Sequence, residues 1–275
     1  HVHRTAEPAS ALLESIEERY NLCMLFYCIR KEDEEAEDPK YGAFDWTWVK
    51  EQFSGLLQAP RDSLIKTCLK GDDTDFPFYP RIYEEKLYAM MYDGNIGVTN
   101  CNDGSPITTL TGHTDAISCL IIDDDKLYSG SEDNTIKIWS CSTDTLIKTL
   151  TGHTGTVQCL TISDGKLYSG SYDNSIKVWN CSNYELITTL PEEHDEEGEY
   201  EGHTHHVWCL IINDGKLYSG SWDKTVKVWN CSTYKLITTI TAPNHNIFRL
   251  HIHGGKLYSQ AYKVIKVYDC SDNTL

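Results

Sequence analysis

The chain has no apolar run approaching 18 residues, so no membrane-spanning helix is expected. It shows no signal-peptide pattern. It is short of positive charge: 24 Lys and Arg stand against 41 Asp and Glu, a formal net charge of −17. Binding nucleic-acid phosphates or anionic lipid needs clustered Lys and Arg to displace counterions. The expected partners are therefore proteins, with no nucleic acid and no membrane insertion. No CxxC pair is present, which removes the usual support for zinc or thioredoxin-like chemistry. There is also no phosphate loop, no nucleophile elbow and no spaced Cys/His set. No catalysis, cofactor or metal is expected. The chain begins at His1 rather than Met, from which a fragment or a processed product is expected.

Against these absences stand 275 residues with 40% apolar and 11% aromatic side chains. That is enough for a packed core, as one large domain or two smaller ones. The acid is concentrated. Glu32–Asp38 holds six acids in seven residues and Glu192–Glu201 seven in ten. Both runs are expected to be solvated loops. The eleven cysteines are patterned rather than scattered. Cys101, Cys141, Cys181, Cys231 and Cys270 recur at one phase, Cys119, Cys159 and Cys209 at another. Only Cys23, Cys28 and Cys68 fall outside. A cysteine repeated at one structural phase behaves as a small buried hydrophobe. A reducing, intracellular and cytoplasmic setting is expected.

That phase belongs to a repeat. Residues 126–139 read KLYSGSEDNTIKIW, 166–179 read KLYSGSYDNSIKVW and 216–229 read KLYSGSWDKTVKVW. The Lys of the KLY triplet falls at Lys86, Lys126, Lys166, Lys216 and Lys256, in steps of 40, 40, 50 and 40 residues. The long step is a normal one plus an insertion at about Pro191–Tyr200, which carries most of the second acidic run. A 40-residue period built of strands is the pattern of a β-propeller. Each unit reads as four strands, exemplified by Ala116–Ile122, Lys126–Ser131, Thr135–Trp139 and Thr145–Leu150. Alternation and β-branched residues mark the first, and Asp133-Asn134 a tight turn between the second and third.

GHT at 112–114, 152–154 and 202–204, each followed by an SGSxD segment ending in Trp, resembles the WD-repeat (WD40) family over roughly residues 76–275. The resemblance implies a ring of four-stranded blades, usually seven, of which five units are recognisable here. It also implies a buried polar tetrad in each well-matched blade. By position the tetrads are His113, Ser129, Asp133, Trp139; His153, Ser169, Asp173, Trp179; and His203, Ser219, Asp223, Trp229. A histidine beside a carboxylate can donate one N–H and accept at its other nitrogen, and a serine can link it to an indole N–H that only donates. The His-Ser-Asp sets share their composition with a hydrolase triad, but three identical copies imply a scaffold role. The flanking units lack parts of the set. The one around Lys86 has Ala89 and Thr99 in the Ser and Trp slots, and the one around Lys256 has Tyr268 in the Trp slot. Both are expected to hold by apolar packing alone.

If the tetrads are construction, function sits on the residues the scaffold leaves free. The family pattern implies a partner-binding face made of the residue before each turn Asp and two residues flanking the start of the inner strand. The residues expected to bind a partner are Glu132, Gln158, Tyr172, His206, Trp208, Trp222, Phe248 and Tyr262, with Ala116, Ser118, Thr156, Tyr92 and Asn246 in the remaining slots. Aromatics gathered on one face resemble protein-interface hot spots. His205 and His206, and His251 and His253, are pairs without a third ligand in view, so neither is expected to bind metal. Asn180-Cys181-Ser182 and Asn230-Cys231-Ser232 match glycosylation sequons but are expected inside strands.

Residues 1–75 carry no repeat and are expected to form a small α-helical region, with helices over Ala11–Arg30, Trp46–Leu57 and about Ser63–Lys70. Leu12, Ile16, Trp46, Trp48 and Phe53 read as its core. The fold class is thus mostly β, a WD40-type propeller with a helical N-terminal region. The function expected is a non-catalytic interaction scaffold within a larger assembly. Two alternatives come from resemblance. A helical leader before a WD propeller is similar to the F-box substrate receptors of ubiquitin ligases, although the Leu-Pro opening of an F-box is absent. WD domains attached to kinases are the other.

Overall fold

The computed structural model describes residues 81–91, 93–101, 103–191, 201–241, 246–261 and 264–270. The expected N-terminal helices and their core residues, the 191–200 insertion beyond Pro191, Tyr92, Tyr262, Cys23, Cys28 and Cys68 lie outside the described residues.

The described residues form nineteen strands and no helix. The first sheet is β1 (Arg81–Tyr83), β2 (Lys86–Met90), β3 (Ile96–Asn100) and β4 (Pro106–Leu110). The second is β5 (Ile117–Asp123), β6 (Lys126–Ser131), β7 (Ile136–Ser140) and β8 (Thr145–Leu150). The third is β9 (Val157–Ser163), β10 (Lys166–Ser171), β11 (Ile176–Asn180) and β12 (Leu186–Leu190). The fourth is β13 (Val207–Asn213), β14 (Lys216–Ser221), β15 (Thr225–Asn230) and β16 (Leu236–Thr241). The fifth is β17 (Arg249–His253), β18 (Lys256–Ala261) and β19 (Val264–Asp269). Every sheet is an antiparallel meander in sequence order. The first strands β1, β5, β9, β13 and β17 pack each against the next. The sheets thus follow one another like propeller blades.

Two strand starts lie one residue later than the sequence pattern suggests. The carbonyl of Ala116 accepts from the Glu132 N–H, which ties it to a turn rather than a ladder. Thr135 donates both its backbone N–H and its hydroxyl to the Asp133 carboxylate, at 2.9 and 2.7 Å, so it closes the turn before β7 begins. Asn134 and Asn174 occupy the left-handed position of this turn, with φ of 66° and 69°, which short polar side chains tolerate.

The core is divided into slabs between sheets. Leu127 and Trp139 of the second sheet pack with Tyr88, Ile96 and Val98 of the first. Tyr128, Ile136 and Ile138 pack in the other direction, against Val157, Leu167 and Trp179 of the third. Both faces of a blade are therefore buried, which explains why KLYSGS is buried at five successive positions in β6, β10 and β14. The same layers recur between the third and fourth sheets and between the fourth and fifth.

Close approach is set by the glycine of SGS. A Cβ on Gly130 would lie 2.8 Å from Val157 Cγ1, on Gly170 2.6 Å from Val207 Cγ1, and on Gly220 2.5 Å from Ile247 Cγ2. Each contacted residue belongs to the start of the next blade. The cysteines pack as the repeat suggests: the eight described are free thiols, five of them buried.

The flanking units depart from expectation by not resting on apolar packing alone. Lys86 Nζ donates to the Cys141 carbonyl and pairs with Asp144, both at 2.7 Å, and the Tyr88 hydroxyl donates to the same carbonyl at 3.2 Å. Arg81 Nε donates to Leu120 O at 2.9 Å. Lys216 Nζ donates to Cys270 O at 3.0 Å, just after the last strand of the fifth sheet. The sequons also sit differently from expectation. Asn180 and Asn230 are the last residues of β11 and β15, and their side-chain oxygens accept from the backbone of Ser182 and Ser232 in the turns that follow.

Candidate protein-interaction face

The three tetrads are closed by hydrogen bonds. His113 lies between β4 and β5, Ser129 on β6, Asp133 in the β6–β7 turn and Trp139 on β7. His113 Nδ1 is 2.7 Å from Asp133 Oδ2, its Nε2 is 2.8 Å from Ser129 Oγ, and Trp139 Nε1 donates to that same oxygen at 2.9 Å. The His153 set measures 2.7, 2.8 and 2.9 Å, and the His203 set 2.6, 2.7 and 2.9 Å. A carboxylate only accepts, so Nδ1 carries the proton and Nε2 accepts from the serine hydroxyl.

Burial disfavours the charged form of these groups, but the hydrogen bonds favour the carboxylate. Burial would raise the Asp133 pKa, yet donors from Thr135 and His113 bring it down to about 2. At Asp223, burial is likewise outweighed by His203 and Thr225, to about 2. Burial pushes His113 and His203 down, against the opposing pull of their aspartates. Ser129, Ser169 and Ser219 are fully buried, so no substrate reaches the hydroxyl a hydrolase would use. The chemistry of the set is that of a frame.

The frame positions the slots around it. Glu132, Tyr172 and Trp222 precede the turn aspartates, and their N–H groups bond to Ala116, Thr156 and His206 at 2.9, 2.9 and 3.1 Å. Each turn is thus tied to the connector entering the same blade. Pairing then skips one residue of the inner strand: Ser131 faces Ile117 and Gly130 faces Cys119, leaving Ser118 as the extra residue. Gln158 and Trp208 are extra in the same way. These are β-bulges, which re-aim a side chain and locally end the ladder.

Five of the eight expected partner-binding residues come together. The Tyr172 ring stacks on His206 at 4.1 Å, His206 on Trp222 at 5.2 Å, and Trp222 on Trp208 at 4.9 Å with 14° between the planes. Phe248 meets Trp208 and Trp222 edge-on at 5.8 and 6.2 Å. All five rings are half-buried. Trp208 and Phe248 line this group and belong to none of the buried core clusters. Glu132 is exposed and near enough that its charge, after burial, raises the Tyr172 pKa. Gln158 sits half-buried on β9 without a ring contact to the group.

His205 was missed by the sequence reading as a member. Its ring lies 4.3 Å from His206 and 5.6 Å from Trp222. The available signal was its place next to an expected face residue. Trp222 Nε1 and His206 Nδ1 are buried polar atoms with no hydrogen-bond partner among the described residues. Burial and then the neighbouring His205 push the His206 pKa down. The His251 and His253 rings stack at 6.4 Å on β17. No set of three His, Cys, Asp or Glu able to hold a metal occurs among the described residues.

Blades of four antiparallel strands, staggered against a 40-residue repeat and pinned by His-Ser-Asp-Trp frames, define the propeller class of interaction domains. Residues 104–140, 144–180 and 195–230 match the family described as "WD domain, G-beta repeat", so the chain carries three WD repeats. The first two matched segments begin before the outer strand of one sheet and end in the third strand of the next, whereas the third begins after β12 and ends in β15. Among solved structures, the computationally designed Ika8 protein is similar at 25% identity and a TM-score of 0.60, over 69% of this chain and 57% of that one. The WD40 β-propeller domain of Doa1 is similar at 24% identity and 0.57, over 68% and 62%. U3-55K is similar at 23% and 0.59, over 69% and 59%. The chain spans less than two thirds of each of these structures. No curated protein matches the chain in sequence.

Proposed function

We propose that this chain is a non-catalytic interaction scaffold, a WD-repeat subunit of a larger assembly, which docks a partner's peptide segment on the Tyr172–His206–Trp222–Trp208–Phe248 face. The observation that carries this is the ring cluster itself. Five aromatic side chains from three blades gather at half-buried positions, although nothing in the tetrads or blade cores requires them there. Large rings offer much contact area at low cost in conformational entropy, which is why such residues dominate binding energy. Glu132 on the preceding blade and Gln158 on the blade of Tyr172 extend the face, and Tyr262, also expected to bind, lies outside the described residues.

The five described sheets are read as part of a seven-bladed ring. An intracellular, cytoplasmic setting is supported by the eight free, packed cysteines. The ubiquitin-ligase and kinase alternatives rest on segments outside the described residues.

The test is the double variant Trp208→Ala, Trp222→Ala. Partner capture from the native assembly is expected to fall by about tenfold or more while the unfolding midpoint barely moves. A large loss of stability with capture retained refutes the reading.

A further inference from the structure

We infer that the segment received by the aromatic face is basic, and that it places a Lys or Arg side chain against the ring cluster. The inference rests on the reading of this face as partner-binding and adds the chemistry of the occupant. Three observations carry it.

The first is charge. The chain carries 41 acids against 24 Lys and Arg, so a cationic segment is attracted from a distance and an anionic one repelled. Locally Glu132 lies beside Tyr172, close enough for its charge to oppose ionisation of the phenol. Two cationic side chains are close in sequence. Arg249 opens β17 directly after Phe248, and its charge acts on the Cys209 thiol. Lys224 is exposed in the turn two residues after Trp222.

The second is the ring surface. Indole and phenol faces carry negative electrostatic potential, and a cation held over them is attracted, most strongly by Trp. Tyr172 and Trp208 also stack on each other, at 5.7 Å with 24° between the planes, so a cation would meet the solvent-facing parts of these half-buried rings.

The third is the pair of unpartnered atoms. Trp222 Nε1 can only donate, and its site among the described residues supplies no acceptor. A buried donor left unpaired is unfavourable. A peptide carbonyl would satisfy it once the stack opens to admit the segment, which a free metal ion or an isolated ammonium could not do. The face therefore fits a cationic peptide.

The experiment uses the full chain and fluorescein-labelled Arg-Gly, Gln-Gly and Glu-Gly repeat peptides, read by fluorescence anisotropy at low and high salt. The Arg-Gly peptide is expected to bind, more weakly at high salt, and the other two not to bind. Trp208→Ala with Trp222→Ala leaves the net charge unaltered and is expected to weaken Arg-Gly binding about tenfold. Glu132→Gln is expected to weaken it to a smaller extent. Each variant's unfolding midpoint is measured alongside. Undiminished Arg-Gly binding by the double Trp variant would reduce the effect to bulk charge attraction and overturn the inference, as would equal binding of the Glu-Gly peptide. If native partner capture depends on Trp208 and Trp222 while the Arg-Gly peptide fails to bind, the basic occupant is wrong and the interaction face stands. If neither depends on them, the face itself is wrong.

Discussion

Asp133 shows how much one repeated residue does. Its carboxylate accepts from the Thr135 hydroxyl and N–H, the His113 ring and the Thr114 N–H. Asp133→Ala removes all of these acceptors and leaves the buried His113 without its partner. The expected cost is roughly 1–3 kcal/mol, seen as a lower denaturation midpoint in urea. An unchanged midpoint would show that the turn and not the carboxylate holds the blade. The slot beside it obeys the opposite logic. Glu132, Tyr172 and Trp222 share one backbone geometry, fixed by their N–H bonds to the connector, and differ only in what they show to solvent. That separation was legible in sequence, because three copies let the fixed positions be told from the free one. The identity of the ring contacts was not, since His205 joins the cluster only through the path of the connector.

At the scale of elements, the repeat marked most strands to within a residue, because turn chemistry and alternation are local. The bulges at Ser118, Gln158 and Trp208 escaped it. A bulge is a property of two strands' register, and nothing within one strand's pattern announces it. It shapes the proposed partner face, because the extra residue Trp208 stacks on Trp222. The glycines of SGS are a second case. Their spacing is visible in sequence, but the reason is the next blade's first residue pressed against them. Gly220→Ala forces a methyl group to 2.5 Å from Ile247 Cγ2. Overpacking of this kind costs typically 1–3 kcal/mol, roughly, so the thermal midpoint is expected to drop and the fourth and fifth sheets to lose packing. A midpoint equal to that of the parent would mean the blades shift freely, against the tight inter-sheet core.

For the whole molecule, stability should follow the tetrads as the pH falls. His113 and His203 have folded-state pKa values below their ordinary value near 6.5, so the unfolded chain takes up the proton first. Their contribution is complete above about pH 6.5 and declines below it. The Asp133 and Asp223 carboxyls, held at about 2, contribute fully above the ordinary aspartate value near 3.9 and lose that contribution as the pH falls toward 2. The unfolding midpoint is thus expected to decline below pH ~6.5 and again below ~4. A midpoint that holds or rises between pH 7 and 5 would contradict a neutral, buried His frame. By itself the sequence determined the period, the four-strand unit, the tetrads and the acidic balance, because each is a local or summed property of residues. Only the tertiary structure decided that the core is cut into slabs between blades, and that Lys86 and Tyr88 bind the first unit through polar bonds. It also decided that rings from three blades meet in one stack. Those depend on which faces of neighbouring sheets are pressed together, a relation between residues tens of positions apart that no single repeat encodes.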